Sequence, residues 1–154
     1  MLDQPYKIIK LEKHETRNVD DKHINGTLTV IWRDWDEILN TPPKMIYVTS
    51  VNPKEVKGPH IHKKRTSYFS CISGKVAFII RDNDGNYHEI ISSPEEPILL
   101  CVPNNIASAH INLSPLISSV LTIADISWRP NDNEMINVNF DNYDWTKWKK
   151  FQIE

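Results

Sequence analysis

The stretch KGPHIHKKRTSYFSCISGKV, residues 57–76, holds the densest set of groups able to do chemistry. His60 and His62 stand two apart, and in an extended strand positions i and i+2 share a face. Two imidazoles turned into one cavity suit proton transfer or metal ligation, because imidazole titrates near neutrality and carries a ligand lone pair. Lys63, Lys64 and Arg65 follow at once. Such a run either faces solvent or, beside a site, holds a pyrophosphate. A third imidazole, His110, lies between Ser108 and Asn112. Asp141 and Asp144, in NFDNYDW, either orient a histidine or form a polar turn. Cys71 and Cys101 each sit in an apolar run and read as reduced, buried thiols.

Something must hold these groups, and the sequence reads as short strands. IKLE, TLTVIW, KMIYVTSV, TSYFSCIS, KVAFIIRD, YHEIIS, PILLCVP, AHINL and SSVLTIADISW are rich in β-branched and aromatic residues. Asn25-Gly26 and the DNDGN run at 82–86 read as hairpin turns, and Gly74 as a tight turn. Helix signals are few. RDWDEILN, residues 33–40, has room for one or two turns, and DWTKWKKFQ for another with Asp144 as N-cap. Many short strands at roughly ten-residue spacing predict an all-β sandwich or barrel of the jelly-roll kind.

The 154 residues suit one domain, expected over 1–154, with a barrel core at about 24–130 and a C-terminal segment, 131–154, packed on it. With 40% hydrophobic and 25% charged residues and a net charge of −2, nothing favours nucleic acid or an anionic membrane as partner. No apolar run approaches the roughly 20 residues of a membrane span, and MLDQPYKIIK lacks a leader's apolar core. A cytoplasmic protein is the expectation. Five tryptophans, Trp32, Trp35, Trp128, Trp145 and Trp148, are read as core or dimer-interface residues, and one of them as a possible platform for a base.

The 57–112 region resembles the two motifs of the cupin superfamily. HxH stands at His60 and His62, and the motif's glycine at Gly74. The carboxylate position is Ser67. In the second motif Pro103, Asn105 and Asn112 match, with Ser108 in the histidine slot and His110 two residues on. Metal-binding cupins offer three histidines and a carboxylate. Hydroxyls at two of those places make poor ligands, so no metal and no other cofactor is expected.

A narrower resemblance runs over about residues 20–148. DDKHINGTL, KGPHIHKK, ISGKV, VPNNIASAH and SWRPNDNEMINVNFDNYDW follow the order of motifs in the dTDP-4-dehydrorhamnose 3,5-epimerases. KGPHIHKK with its glycine also looks like the dTDP-sugar 3,4-ketoisomerases. These families imply a metal-independent cupin homodimer acting on a nucleotide-linked 4-keto-6-deoxy sugar, in the making of surface polysaccharide. His60 then falls on the base, Asp141 on the carboxylate that orients it, and Lys57 on a cation that contacts the sugar nucleotide. His62 and His110 share the proton-transfer roles. Lys63, Lys64, Arg65, Ser67, Ser108, Asn112 and Trp128 fall on the substrate side. Ser127 and Trp128 replace the two tyrosines of the epimerases, one of them the general acid, and their enolate-binding lysine falls near Thr66 or Ser67. Epimerisation at C3 and/or C5 is the first expectation. Ketone transfer, or binding without catalysis, is the alternative.

Overall fold

The computed structural model describes residues 4–152. The first three residues, part of the stretch read above for a leader, and the last two lie outside them.

Twelve strands build the molecule: β1 Lys7–Lys10, β2 Glu12–Arg17, β3 Ile24–Val30, β4 Met45–Val51, β5 Val56–His62, β6 Ser67–Ser73, β7 Val76–Arg81, β8 Tyr87–Ser92, β9 Ile98–Val102, β10 Ala107–Asn112, β11 Ser118–Ala124 and β12 Met135–Asn137. Ten of them form two five-stranded antiparallel sheets, ordered β1-β9-β6-β11-β4 and β12-β5-β10-β7-β8. The expected all-β jelly roll is what the chain adopts. Its core runs between the sheets through Val51, Cys71, Val76, Phe78, Ile80, Leu100, Val102 and Val120.

β7 is buried on both faces, which is why VAFII reads as an unbroken apolar run. Its other face, Ala77 and Ile79, packs under the C-terminal segment through Phe140 and Trp148. That segment ends in a 3-10 helix, Trp145–Phe151, whose N-cap Asp144 accepts from Thr146 N, as its sequence suggests. Residues 31–39 cover the outer face of the first sheet, where Ile31, Trp32, Ile38 and Leu39 pack on Tyr68, Leu99 and Ile123. No helix forms there. Asp36 binds both the backbone N–H and the side chain of Arg33, and bends the chain instead.

Three sequence readings change. The first sheet begins at β1, well before residue 24. β3 lies outside the barrel, paired only with β2 in a separate hairpin. Asn25-Gly26 is not a turn. It lies within β3, and the chain reverses at 18–23, where Lys22 N donates to Asn18 O and Asn18 N to His23 O. The reversal is set by the Asn18 side chain, which accepts from Asp20 N.

The remaining turns follow the sequence. Asp82 O accepts from Gly85 N in the DNDGN turn. Gly74 has φ +78°, and a Cβ there would lie 2.1 Å from Ser118 Oγ. At the same end of the barrel Asn112, fully buried, donates to Val51 O and Leu116 O and accepts from Ser114 N and Ser118 Oγ. Among the described residues no helix is long and apolar enough to cross a membrane. Both cysteines are free thiols, and burial pushes each thiol's pKa up.

Candidate active site

β5 carries both histidines because Val56–His62 is continuous strand, and His60 and His62 fall on the same, inward side. Within this strand Gly58 has φ +87°, and a Cβ there would come within 2.9 Å of Ser108 O on the neighbouring strand. A cavity of about 180 Å³ opens above β5. Lys57, His60, His62, Ser108 and His110 come to it from one sheet, and Tyr47, Thr49, Phe69 and Thr122 from the other. Arg65 stands in its wall. A second cavity of about 290 Å³ shares His62, Arg65 and Met135 with the first and continues to Ser127, Trp128 and Arg129.

The three imidazoles differ in what their nitrogens meet. His60 Nδ1 donates to Asn137 Oδ1 at 2.8 Å. Asn137 lies directly opposite His60 in the β12–β5 register. This bond selects the tautomer that leaves the Nε2 lone pair free. His62 is held at both ends. Its Nδ1 donates to Glu134 Oε2 at 2.7 Å, and its Nε2 accepts from Arg65 Nη2 at 2.7 Å. A ring between a carboxylate and a guanidinium is neutral, with no lone pair left for substrate. Burial holds its pKa below the ordinary imidazole value, and the Arg65 charge adds to this against the opposite pull of Glu134. His110 is 8% exposed, and its Nε2 is sealed without a partner among the described residues. Burial drives its pKa down to about 4, helped by the charges of Lys57 and His60.

Glu134 organises this arrangement. Besides His62 it accepts from the backbone N–H groups of Lys64 and Arg65 through Oε1. Burial works to raise its pKa, but these three donors outweigh it and keep the carboxyl below its usual range. Arg65 Nη2 also donates to the Tyr47 hydroxyl at 3.2 Å. A line of contacts thus runs from Glu134 through His62 and Arg65 to Tyr47. Arg65 takes one lone pair of that phenol oxygen, so the hydroxyl hydrogen turns away from the guanidinium.

The other residues named from sequence divide. Lys57, His60, His62, Arg65, Ser108 and His110 meet at the first cavity, and Trp128, 66% exposed, stands at the second. Lys63 and Lys64 point to solvent, while the neighbouring Arg65 turns inward, so the three do not form one basic patch. Ser67 is buried in neither cavity, and Asn112 serves the closed end of the barrel. Asp141 does not reach His60. Its neighbour Phe140 is buried among Tyr87, Tyr143 and Trp145, which leaves Asp141 exposed with only its backbone oxygen engaged, by Tyr87. Asn137 stands at His60 in its place.

Sequence reasoning missed Tyr47, Glu134 and Asn137. A signal for Tyr47 is present. In MIYVTSV the inward positions Tyr47 and Thr49 are polar, whereas Ile46 and Val48 face outward, about half exposed. Polar residues turned toward a barrel interior mark a cavity.

This barrel, with its paired histidines on an inward strand, defines a cupin. The chain belongs to the family described as FdtA, WxcM-like, C-terminal, whose model matches residues 4–144. Nothing among curated proteins matches it. Similar solved structures include a dTDP sugar isomerase from Desulfovibrio desulfuricans, at 17% identity over 92% of this chain and 90% of that one, TM-score 0.78. A 3,4-ketoisomerase from Helicobacter canadensis is 21% identical over 96% and 97%, TM-score 0.69. A dTDP-6-deoxy-D-glucose-3,5-epimerase from Legionella pneumophila is 13% identical over 90% and 74%, TM-score 0.71. These likenesses establish the fold.

Proposed function

We propose that the protein is an enzyme that transfers the ketone of a nucleotide-linked 4-keto-6-deoxyhexose from C4 to C3, in supply of a surface polysaccharide. The observation that carries this is that His60 is held in the tautomer whose Nε2 opens to the cavity. His62 is engaged at both nitrogens, and the Nε2 of His110 is sealed. A ketone transfer needs one base, because the imidazole that takes the proton from C3 also returns one to C4, after exchange with solvent.

The steps follow from that. His60 Nε2 takes the C3 proton, and the C3–H electron pair forms C3=C4 while O4 gains the charge. The Tyr47 hydroxyl gives its proton to O4 and recovers one from O3. C3=O3 then closes, and C4 takes a solvent-exchanged proton from His60. Asn137 keeps His60 in the productive tautomer throughout. Full-length agreement with the ketoisomerase and sugar isomerase, against 74% of the epimerase chain, supports the same reading.

One observation favours inversion at C3 and/or C5 as the second reading. Tyr47 and His60 come from opposite sheets, so they approach a bound ring from two sides. Incubating the protein with dTDP-4-keto-6-deoxyglucose in deuterated water separates the outcomes by NMR. A 3-keto product with deuterium at C4 supports the transfer. An inverted centre with the 4-ketone kept supports the second reading. Binding with no deuterium entering carbon leaves a sugar-nucleotide-binding protein and refutes both. We infer also that the enzyme works as a cytoplasmic homodimer. The β2–β3 hairpin pairs with no strand of the barrel and leaves Ile24 and Leu28 half exposed, and light scattering at twice 17.9 kDa is the expected result.

A further inference from the structure

Arg65 is the least expected residue of the site. It is 8% exposed, yet among the described residues no carboxylate pairs with its guanidinium. A guanidinium carries five N–H groups. Nη2 spends two of them, on His62 Nε2 and on the Tyr47 oxygen. The other three, on Nη1 and Nε, have no partner among the described residues, and Nε is wholly buried. The charge nearest along this line of bonds is Glu134, and the whole His62 ring separates the two. Buried charges are ordinarily paired, so a cation left this way awaits a negative charge from a ligand.

The position of Arg65 says which charge. It lies in the wall that the two cavities share, with its Nη2 on the Tyr47 oxygen. In the proposed reaction Tyr47 exchanges protons with the sugar oxygens, so the oxygen that turns anionic when C3 loses its proton lies beside the same guanidinium. Its rigidity suits the task. Glu134 pins the backbone of Arg65 as well as His62, so no reorganisation is needed as the charge appears.

We propose that Arg65 is a catalytic residue: its guanidinium stabilises the enediolate formed when the C3 proton is removed. This rests on the reading of the protein as an enzyme that enolises a 4-keto sugar. It gives His62 a role other than proton transfer. His62 is a neutral spacer that holds the cation toward the substrate and transmits the field of Glu134.

The test compares wild type with Arg65→Met and Arg65→Gln in deuterated water, reading exchange at C3 of dTDP-4-keto-6-deoxyglucose. Arg65→Gln keeps an amide that can still donate to His62 Nε2, and so guards against a misfolded variant. In both, kcat for exchange should fall at least about 10²-fold, the usual loss for one oxyanion donor. KM should stay within about threefold, as it does when a group acts mainly in the transition state. Affinity for dTDP, read by calorimetry, should be unchanged. Wild-type kcat in a folded variant overturns the assignment while leaving the enolising reading intact. So does a loss of dTDP affinity with kcat retained, which would make Arg65 a phosphate ligand. Absence of exchange in wild type overturns both.

Discussion

A neutral histidine inside a barrel has a measurable signature. His110 titrates at about 4 in the folded protein against 6.5 for free imidazole. The folded chain therefore refuses a proton that the unfolded chain binds, and stability falls as pH drops below about 6.5. The full difference is worth about 3 kcal/mol at 1.36 kcal/mol per unit. At pH 5 about 2 kcal/mol of it is already lost, and at pH 7 almost none. For a domain of this size each kcal/mol moves Tm by about 2–4 °C, so His110 alone should lower Tm by about 4–8 °C between pH 7 and pH 5. His62, also held low by burial, acts in the same direction. The difference between wild type and His110→Leu therefore carries the result, rather than the wild-type fall itself. Leucine has a similar volume and removes a buried nitrogen that lacks a partner, so the variant should melt at or above wild type at pH 7. At pH 5 its advantage should widen by those 4–8 °C in calorimetric scans. An equal fall in both proteins would refute the account of His110 as a desolvated neutral group.

Three further outcomes follow from the same geometry. His60→Asn should cut C3 exchange by about 10²–10⁴-fold with binding retained, and Asn137→Ala, which frees the ring to change tautomer, should cost less; kinetics by NMR checks both. Glu134→Ala strands the donors of His62, Lys64 and Arg65 and should cost about 3 kcal/mol, seen as a lower urea midpoint at unchanged slope. Gly74→Ala forces a Cβ to 2.1 Å from Ser118 Oγ at a positive φ and should destabilise by about 2 kcal/mol or more, whereas the same change at the open turn residue Gly85 should cost less in thermal melts.

The barrel was legible in the sequence because its strands are short, β-branched and separated by turn residues. The site was legible only on one side. His60 and His62 declare themselves by spacing within one strand. Their partners do not, because Glu134 and Asn137 stand 72 and 77 residues away and are chosen by the β12 pairing register. Asp141 looked better by chemistry, a carboxylate being the usual companion of a catalytic imidazole. The burial of Phe140 beside it decided otherwise, and apolar packing of this kind leaves no mark in motif spacing. Arg65 looked like the third member of a basic run. A lysine run flanking an inward turn reads the same as one on a surface until the direction of each side chain is known.

β12 is three residues long, yet it and the residue before it set the tautomers of two histidines at once. During synthesis the nine strands that precede it and form the barrel are complete before this clip exists. The growing chain thus has most of its sheet pairings while its imidazoles are still free to rotate. Contacts of such long sequence separation form late, since the loop they close must be ordered first. Catalytic competence should accordingly lag behind compaction in refolding, with tryptophan burial rising before turnover does. A chain arrested before residue 134 would be a barrel with unaimed histidines: folded in outline and chemically silent.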